Sequence, residues 1–294
     1  MPKQVNKTVY YIVAPFVILL WGSTFASTKI LLRDFSPEFI MLMRFFVAWL
    51  SLMIAHPHCH IPNSWKEELL FFAAAMTGCV LYFWTENTAL QYLDTITVGL
   101  LVAINPLLTM WISMLCGNSE KARWTHWVGS LTSFVGVMLL SFNGEIKLEG
   151  DPWGYILSLA AALMWAIYSN IIRKIGEKNF SPLFTTRRVY FYSILVLAIY
   201  FAMKQDALPW HAIAKPINLL NILYLGIFAS SLAFVFWTMI IKKIGILSAN
   251  NFLYLAPVFI VLIGTLILGE TATAWTVFGA ALVLGGLYIG ERKV

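Results

Sequence analysis

Glu86, inside LYFWTENTALQ, is the acidic side chain set deepest among apolar neighbours. An ionised carboxylate at bilayer depth is costly, so such a residue is a functional candidate by default, facing a cavity and either paired or protonated. Tyr82 lies one helical turn earlier and can donate a hydrogen bond to it. The pair could bind a proton or a cationic group of a small molecule. The competing reading has Glu86 snorkel or cap near its helix end, since only Asn87 to Leu93 separates it from the corner.

Other polar and aromatic residues interrupt the apolar sequence in small groups. Trp21, Ser23 and Thr24 with Gly22 make a polar notch beside an aromatic plate, and Trp165, Tyr168, Ser169 and Asn170 form a comparable group. Such notches fit a hydrated substrate path, although Gly and Ser also let helices pack closely and Trp also anchors at the interface. Asn250, Asn251 and Tyr254 precede Pro257, and Asn105 precedes Pro106. Each proline removes a backbone donor and is expected to hinge or kink its helix. An adjacent amide can then satisfy the freed carbonyl or touch substrate; Asn250 and Asn251 are the ones assigned to substrate.

Arg44, Arg187 and Arg188 lie one to two turns inside apolar segments. Arg44 could hold an anion or pair with Glu38 and Asp34, but snorkelling to the near interface is the expected behaviour. His56-Pro57-His58-Cys59-His60 has metal-binding side chains at a spacing that fits no standard site. There is no Walker A, no G-x-G-x-x-G at a strand-helix junction and no H-E-x-x-H. Neither a cofactor nor a metal is expected, and no convergent catalytic set suggests an enzyme.

The elements that must position these residues are membrane helices. Of 294 residues 60% are hydrophobic and only 12% charged, with mean hydropathy +0.78. A soluble domain carries roughly 25% charged residues. The net charge of +6 is spread over short loops, which argues against a nucleic-acid surface. The spans read as 10–30, 37–55, 69–92, 95–116, 124–142, 153–172, 182–203, 217–241, 246–268 and 275–290. This predicts an all-α integral membrane protein of ten transmembrane helices.

The chain is duplicated, with units at 1–143 and 152–294. Trp21 to Pro37 parallels Trp165 to Pro182, each ending in Phe-Ser-Pro. Leu93 to Pro106 aligns with Ile244 to Pro257, and Trp124-Thr125 with Trp275-Thr276. An odd number of spans per unit forces the second to enter the membrane upside down, giving two inverted five-helix repeats. Placing both termini in the cytoplasm puts Lys3, Lys7, Lys66, Lys121, Arg123, Arg173, Lys174, Lys178, Lys242, Lys243, Arg292 and Lys293 inside. Only Lys29, Arg33, Lys147, Lys204 and Lys215 then face outward, as the positive-inside rule requires.

Trp-Gly-Ser-Thr-Phe in the first helix, Ala89 to Leu93 (ALQYL) after the third, and a proline midway along the fourth and ninth resemble the drug/metabolite transporter superfamily. The similarity is to its ten-helix EamA-type branch and covers the whole chain. It implies a central cavity lined by helices one, three, four, six, eight and nine, with the last helix of each half peripheral. It also implies an exporter or exchanger of small metabolites.

The function expected is a secondary transporter, an inner-membrane exporter of small metabolites or amino acids by alternating access, with proton coupling through Glu86. The alternatives are a sugar-nucleotide or phosphate-ester exchanger and a passive facilitator. The expected partners are a small-molecule substrate, the lipid bilayer and protons.

Overall fold

The computed structural model describes residues 7–57, 64–93, 95–117, 122–142, 151–204, 210–259, 262 and 273–292. Among these no strand occurs. The helices are α1 (Lys7–Leu31), α2 (Pro37–Ala55), α3 (Trp65–Tyr92), α4 (pieces Thr95–Val102 and Asn105–Leu115) and α5 (Trp124–Phe142). Then come α6 (Pro152–Glu177), α7 (Pro182–Lys204), α8 (Pro216–Ile244), α9 (Ile246–Phe259) and α10 (Ala274–Glu291). Nine are long and apolar enough to span a membrane, and the described part of α9 is a shorter apolar tenth. The remainder of the predicted 246–268 span lies outside the described residues.

Local chemistry sets the helix starts. Ser36 and Ser181, each between a Phe and a Pro, accept from the amides of Phe39 (3.3 Å) and Phe184 (3.2 Å), so the repeated tripeptide is a repeated N-cap. Asp151 and Thr273 cap α6 and α10 in the same way. Helix α3 begins four residues before its predicted start at Leu69, because Glu67 and Glu68 suit the positive end of a helix dipole. Pro106 and Pro257 interrupt their helices: α4 breaks at Ala103 and Ile104, and α9 tightens into a 3-10 turn at Phe252–Tyr254. Two π-helical stretches widen repeat-equivalent helices, Met76–Leu81 in α3 and Tyr224–Leu232 in α8.

Helix contacts survive exchange of the two halves. The α1–α8 pair has its counterpart in α6–α3, α2–α8 in α7–α3, and α4–α6 in α9–α1. The pairs α2–α7, α4–α9 and α5–α10 map onto themselves. This is the pattern of two five-helix units related by a two-fold pseudo-axis, and the odd span count inverts one relative to the other. The start of α1 and the end of α10 lie at one end of the bundle, hereafter the terminal end, where Tyr11 Oη donates to Glu291 Oε2 at 3.1 Å.

Helices α5 and α10 clasp each other away from the centre. A Cβ on Gly129 would come within 2.5 Å of the Gly286 carbonyl oxygen, and one on Gly136 within 2.7 Å of that of Gly279. Only glycine lets the backbones approach this closely.

Candidate functional site

A central pocket of about 740 Å³, its open mouth included, lies between α1, α2, α3, α4, α6, α8 and α9. All six expected helices contribute. Helix α2 is an addition, entering through Arg44. The lining runs from the middle of α1 toward its end, falls late in α3 and early in α4, and meets α6 and α8 near their midpoints at Trp165 and Phe234, so the pocket reaches from the middle of the bundle toward the end opposite the terminal end.

The two prolines shape this wall. Pro106 cannot donate to the carbonyl of Val102, nor Pro257 to that of Leu253, and both of those residues line the pocket. Backbone acceptors at membrane depth are tolerated where they border a cavity.

Glu86 lines the pocket and is 7% exposed. The Tyr82 hydroxyl donates to its Oε1 at 2.5 Å, the one hydrogen bond this carboxylate receives among the described residues. Tyr82, Trp21 and Trp165 form an aromatic wall: Trp21 meets Trp165 edge to face at 5.1 Å, and Trp165 meets Tyr82 at 5.0 Å. Trp21 is held by its indole N–H, which donates to the Ala229 carbonyl in the π-helical stretch of α8 at 3.0 Å. Phe234 packs on both tryptophans, and Thr24 faces the pocket beside Trp21.

Several sequence-selected residues lie elsewhere. Ser23 turns to α8, 2.5 Å from the Tyr224 hydroxyl. Tyr168 is 2% exposed and packs where a Cβ on Gly78 would strike its ring at 2.1 Å, so the small residue of α3 makes its seat. Asn250 Oδ1 takes hydrogen bonds from Thr109 (3.4 Å) and Ser169 (3.3 Å), joining α9 to α4 and α6. Asn251 accepts from Ser130 at 2.9 Å and donates to Glu291 at 3.4 Å. Tyr254 is fully buried. Asn250, Asn251 and Tyr254 thus belong to the packed terminal end rather than the pocket lining. Pro257 lines the pocket, and Pro106 is buried one residue beyond the lining Asn105.

Arg44 does not snorkel. It is 1% exposed, its Nε donates to Ser230 Oγ at 3.0 Å, and its guanidinium lies 4.1 Å from the Phe83 ring centre. Its sequence-suggested partners are engaged elsewhere: Glu38 accepts from Trp84, and Asp34 from Lys215 and Asn218. Arg187 and Arg188 reach the terminal end, donating to the His56 carbonyl and to Glu68. Four tryptophans at helix starts, Trp65, Trp124, Trp153 and Trp275, are exposed as an interfacial belt requires. Among the described residues no His, Cys, Asp and Glu group could hold a metal; His58, Cys59 and His60 lie outside them.

Sequence reasoning assigned no role to Phe83, Phe234 or Gly99, all of which line the pocket. Two are phenylalanines in a chain with 21, which offers no local signal. Arg44 did carry one, since a cation embedded in an apolar segment is a functional candidate by the rule that selected Glu86.

The profile of the EamA-like transporter family matches residues 8–142 and again 152–290. An uncharacterised transporter of Archaeoglobus fulgidus is 26% identical over 285 residues, covering 96% of this chain and 99% of its own. The uncharacterised inner membrane transporter YedA of Escherichia coli K12 is 27% identical, with 94% and 90% covered. A probable terminal-alkyne amino-acid exporter of Streptantibioticus cattleyicolor is 22% identical, with 99% and 95% covered. A crystal structure superposes at a TM-score of 0.76 over 95% of each chain, at 20% identity, which speaks to the fold alone.

Proposed function

Because the chain belongs to the EamA-like transporter family, we propose that it is a secondary transporter exporting small metabolites or amino acids across a bacterial inner membrane by alternating access. The observation that carries this reading is Glu86: a carboxylate at bilayer depth, bordering a pocket of aromatic and small side chains. Such a group can take a proton or a substrate ammonium in one state and release it in another. Tyr82 on the same helix and Arg44 on α2 are the groups that face it.

The moving bodies are the halves 1–143 and 152–294, rocking about the broken helices at Pro106 and Pro257. Both termini lie in the cytoplasm, following the lysine and arginine bias. The substrate contacts are Glu86, Tyr82, Trp21, Thr24 and Trp165. Two relatives support the location and the substrate class, one named an inner membrane transporter and the other an amino-acid exporter. A phosphate-ester exchanger would want several cations in the pocket, and among the described residues Arg44 is the one that lines it.

A thermal-shift screen of the purified protein against metabolite pools selects a substrate, and its counterflow in proteoliposomes reads transport. Trans-stimulation is expected of a carrier and not of a pore. Glu86→Gln is expected to slow transport about tenfold or more and to flatten its pH dependence. An unchanged rate and pH profile overturns the role of Glu86.

A further inference from the structure

Building on the carrier reading, we propose that Arg44 is the subsite for a substrate carboxylate, so that the pocket selects small zwitterions with their ammonium group toward Glu86. The geometry is that of a fixed donor awaiting an acceptor. Ser230 Oγ takes the Nε proton at 3.0 Å, and the Ser230 carbonyl is itself held by the Tyr190 hydroxyl at 2.8 Å. Ser230 sits in the π-helical stretch of α8. With Phe83 under its face, the guanidinium plane is set from two sides.

Its Nη2 is buried and has no hydrogen-bond partner among the described residues. Buried polar groups are nearly always satisfied, and a guanidinium presents a fork matched to carboxylate oxygens. The one acid of the pocket lining that faces it, Glu86, does not supply them. Asp34 and Glu38 are engaged elsewhere, and although Arg44 and Glu86 face each other no ion pair within 4.0 Å joins them, the Glu86 carboxylate being bonded to Tyr82.

Two more lining residues carry buried polar atoms without a partner, the donor Trp165 Nε1 and the acceptor Asn105 Oδ1. The lining thus offers both unpaired donors and unpaired acceptors, with apolar rings of Trp21, Phe83 and Phe234 beside them. A simple amine meets the unmatched Arg44 cation, and a simple carboxylate meets Glu86. A zwitterion with an apolar tail satisfies both, which is selection by mismatch as well as by attraction.

Leucine, isoamylamine and isocaproate share a branched tail and differ only in their charged groups, so they separate the two subsites. Trp21 and Trp165 border the pocket, and intrinsic fluorescence of the purified full chain reads binding of each compound. Wild-type protein is expected to bind leucine most tightly. Arg44→Gln is expected to weaken leucine about tenfold or more while leaving isoamylamine nearly unchanged. Arg44→Lys, which keeps the charge and loses the fork, restores part of the leucine affinity, and it carries the comparison if Arg44→Gln does not fold.

Unchanged leucine binding in Arg44→Gln overturns the proposal, as does equal weakening of leucine and isoamylamine, which marks a structural role. Wild-type protein that binds none of the three, or binds isoamylamine as well as leucine, overturns it too. Counterflow separates the two readings. Leucine bound as expected but not carried across proteoliposomes removes the carrier reading and leaves the Arg44 subsite.

Discussion

Thr97–Pro106 and Ser248–Pro257 share one backbone device and have opposite surroundings. Aligned on their prolines, Gly99 corresponds to Asn250, Ala103 to Tyr254 and Val102 to Leu253. In α4 both Gly99 and Ala103 line the pocket, and a Cβ on Gly99 would meet nothing within 4 Å. In α9 Asn250 is wedged between Thr109 and Ser169, and Tyr254 has no exposed surface. The pocket is therefore bordered in α4 by small side chains with room to spare, while the repeat-equivalent stretch of α9 is held by side-chain hydrogen bonds. A pseudo-symmetric carrier need not be symmetric in energy. Here the residues that differ between the repeats leave space beside α4 and pack α9 with hydrogen bonds at the terminal end.

The comparison breaks most severely if the open side is filled. Gly99→Phe places a ring in free space, so transport in proteoliposomes should fall to background while the melting temperature stays close to wild type. A large loss of stability instead would mean that Gly99 is a packing position.

Opening the closed side should have an intermediate effect. Asn250→Ala removes the acceptor shared by Thr109 and Ser169, worth about 0.5–1.5 kcal/mol for each bond. Hydrogen exchange across 246–251 should then speed up severalfold, with little change across 97–102. Equal change in both segments would erase the distinction between the two ends.

The smallest effect is expected at the rim. Asn218, and then Lys215, hold the Asp34 carboxyl below its ordinary titration range. This exposed cluster therefore contributes above that range and is lost as pH falls through the lowered value. Lys215→Ala should leave transport at neutral pH unchanged, since exposed ion pairs contribute little. A strong slowing would make this rim part of the gate.

The ten spans, the duplication and the proline-broken helices were legible because their signals are local: unbroken apolar runs, a serine before a proline, a missing amide proton. Glu86 and Tyr82 were legible as a pair because helical spacing brings residues four apart together. The facing of α9 was not. In a helix apolar on nearly every side no polar stripe marks which face meets a cavity, and Asn250 looks equally fit for a substrate or for Thr109 and Ser169. Arg44 was misjudged for a related reason. Its side chain is long enough to reach an interface, and only the fold brings Ser230 and Phe83 to the positions that hold it inside.

The glycine seam between α5 and α10 has the reciprocity of a two-fold contact: Gly129 faces Gly286 and Gly136 faces Gly279, each pair of glycines being seven residues apart within its own helix. Each of these glycines meets the other helix's backbone, so a side chain added on either helix would push the two apart.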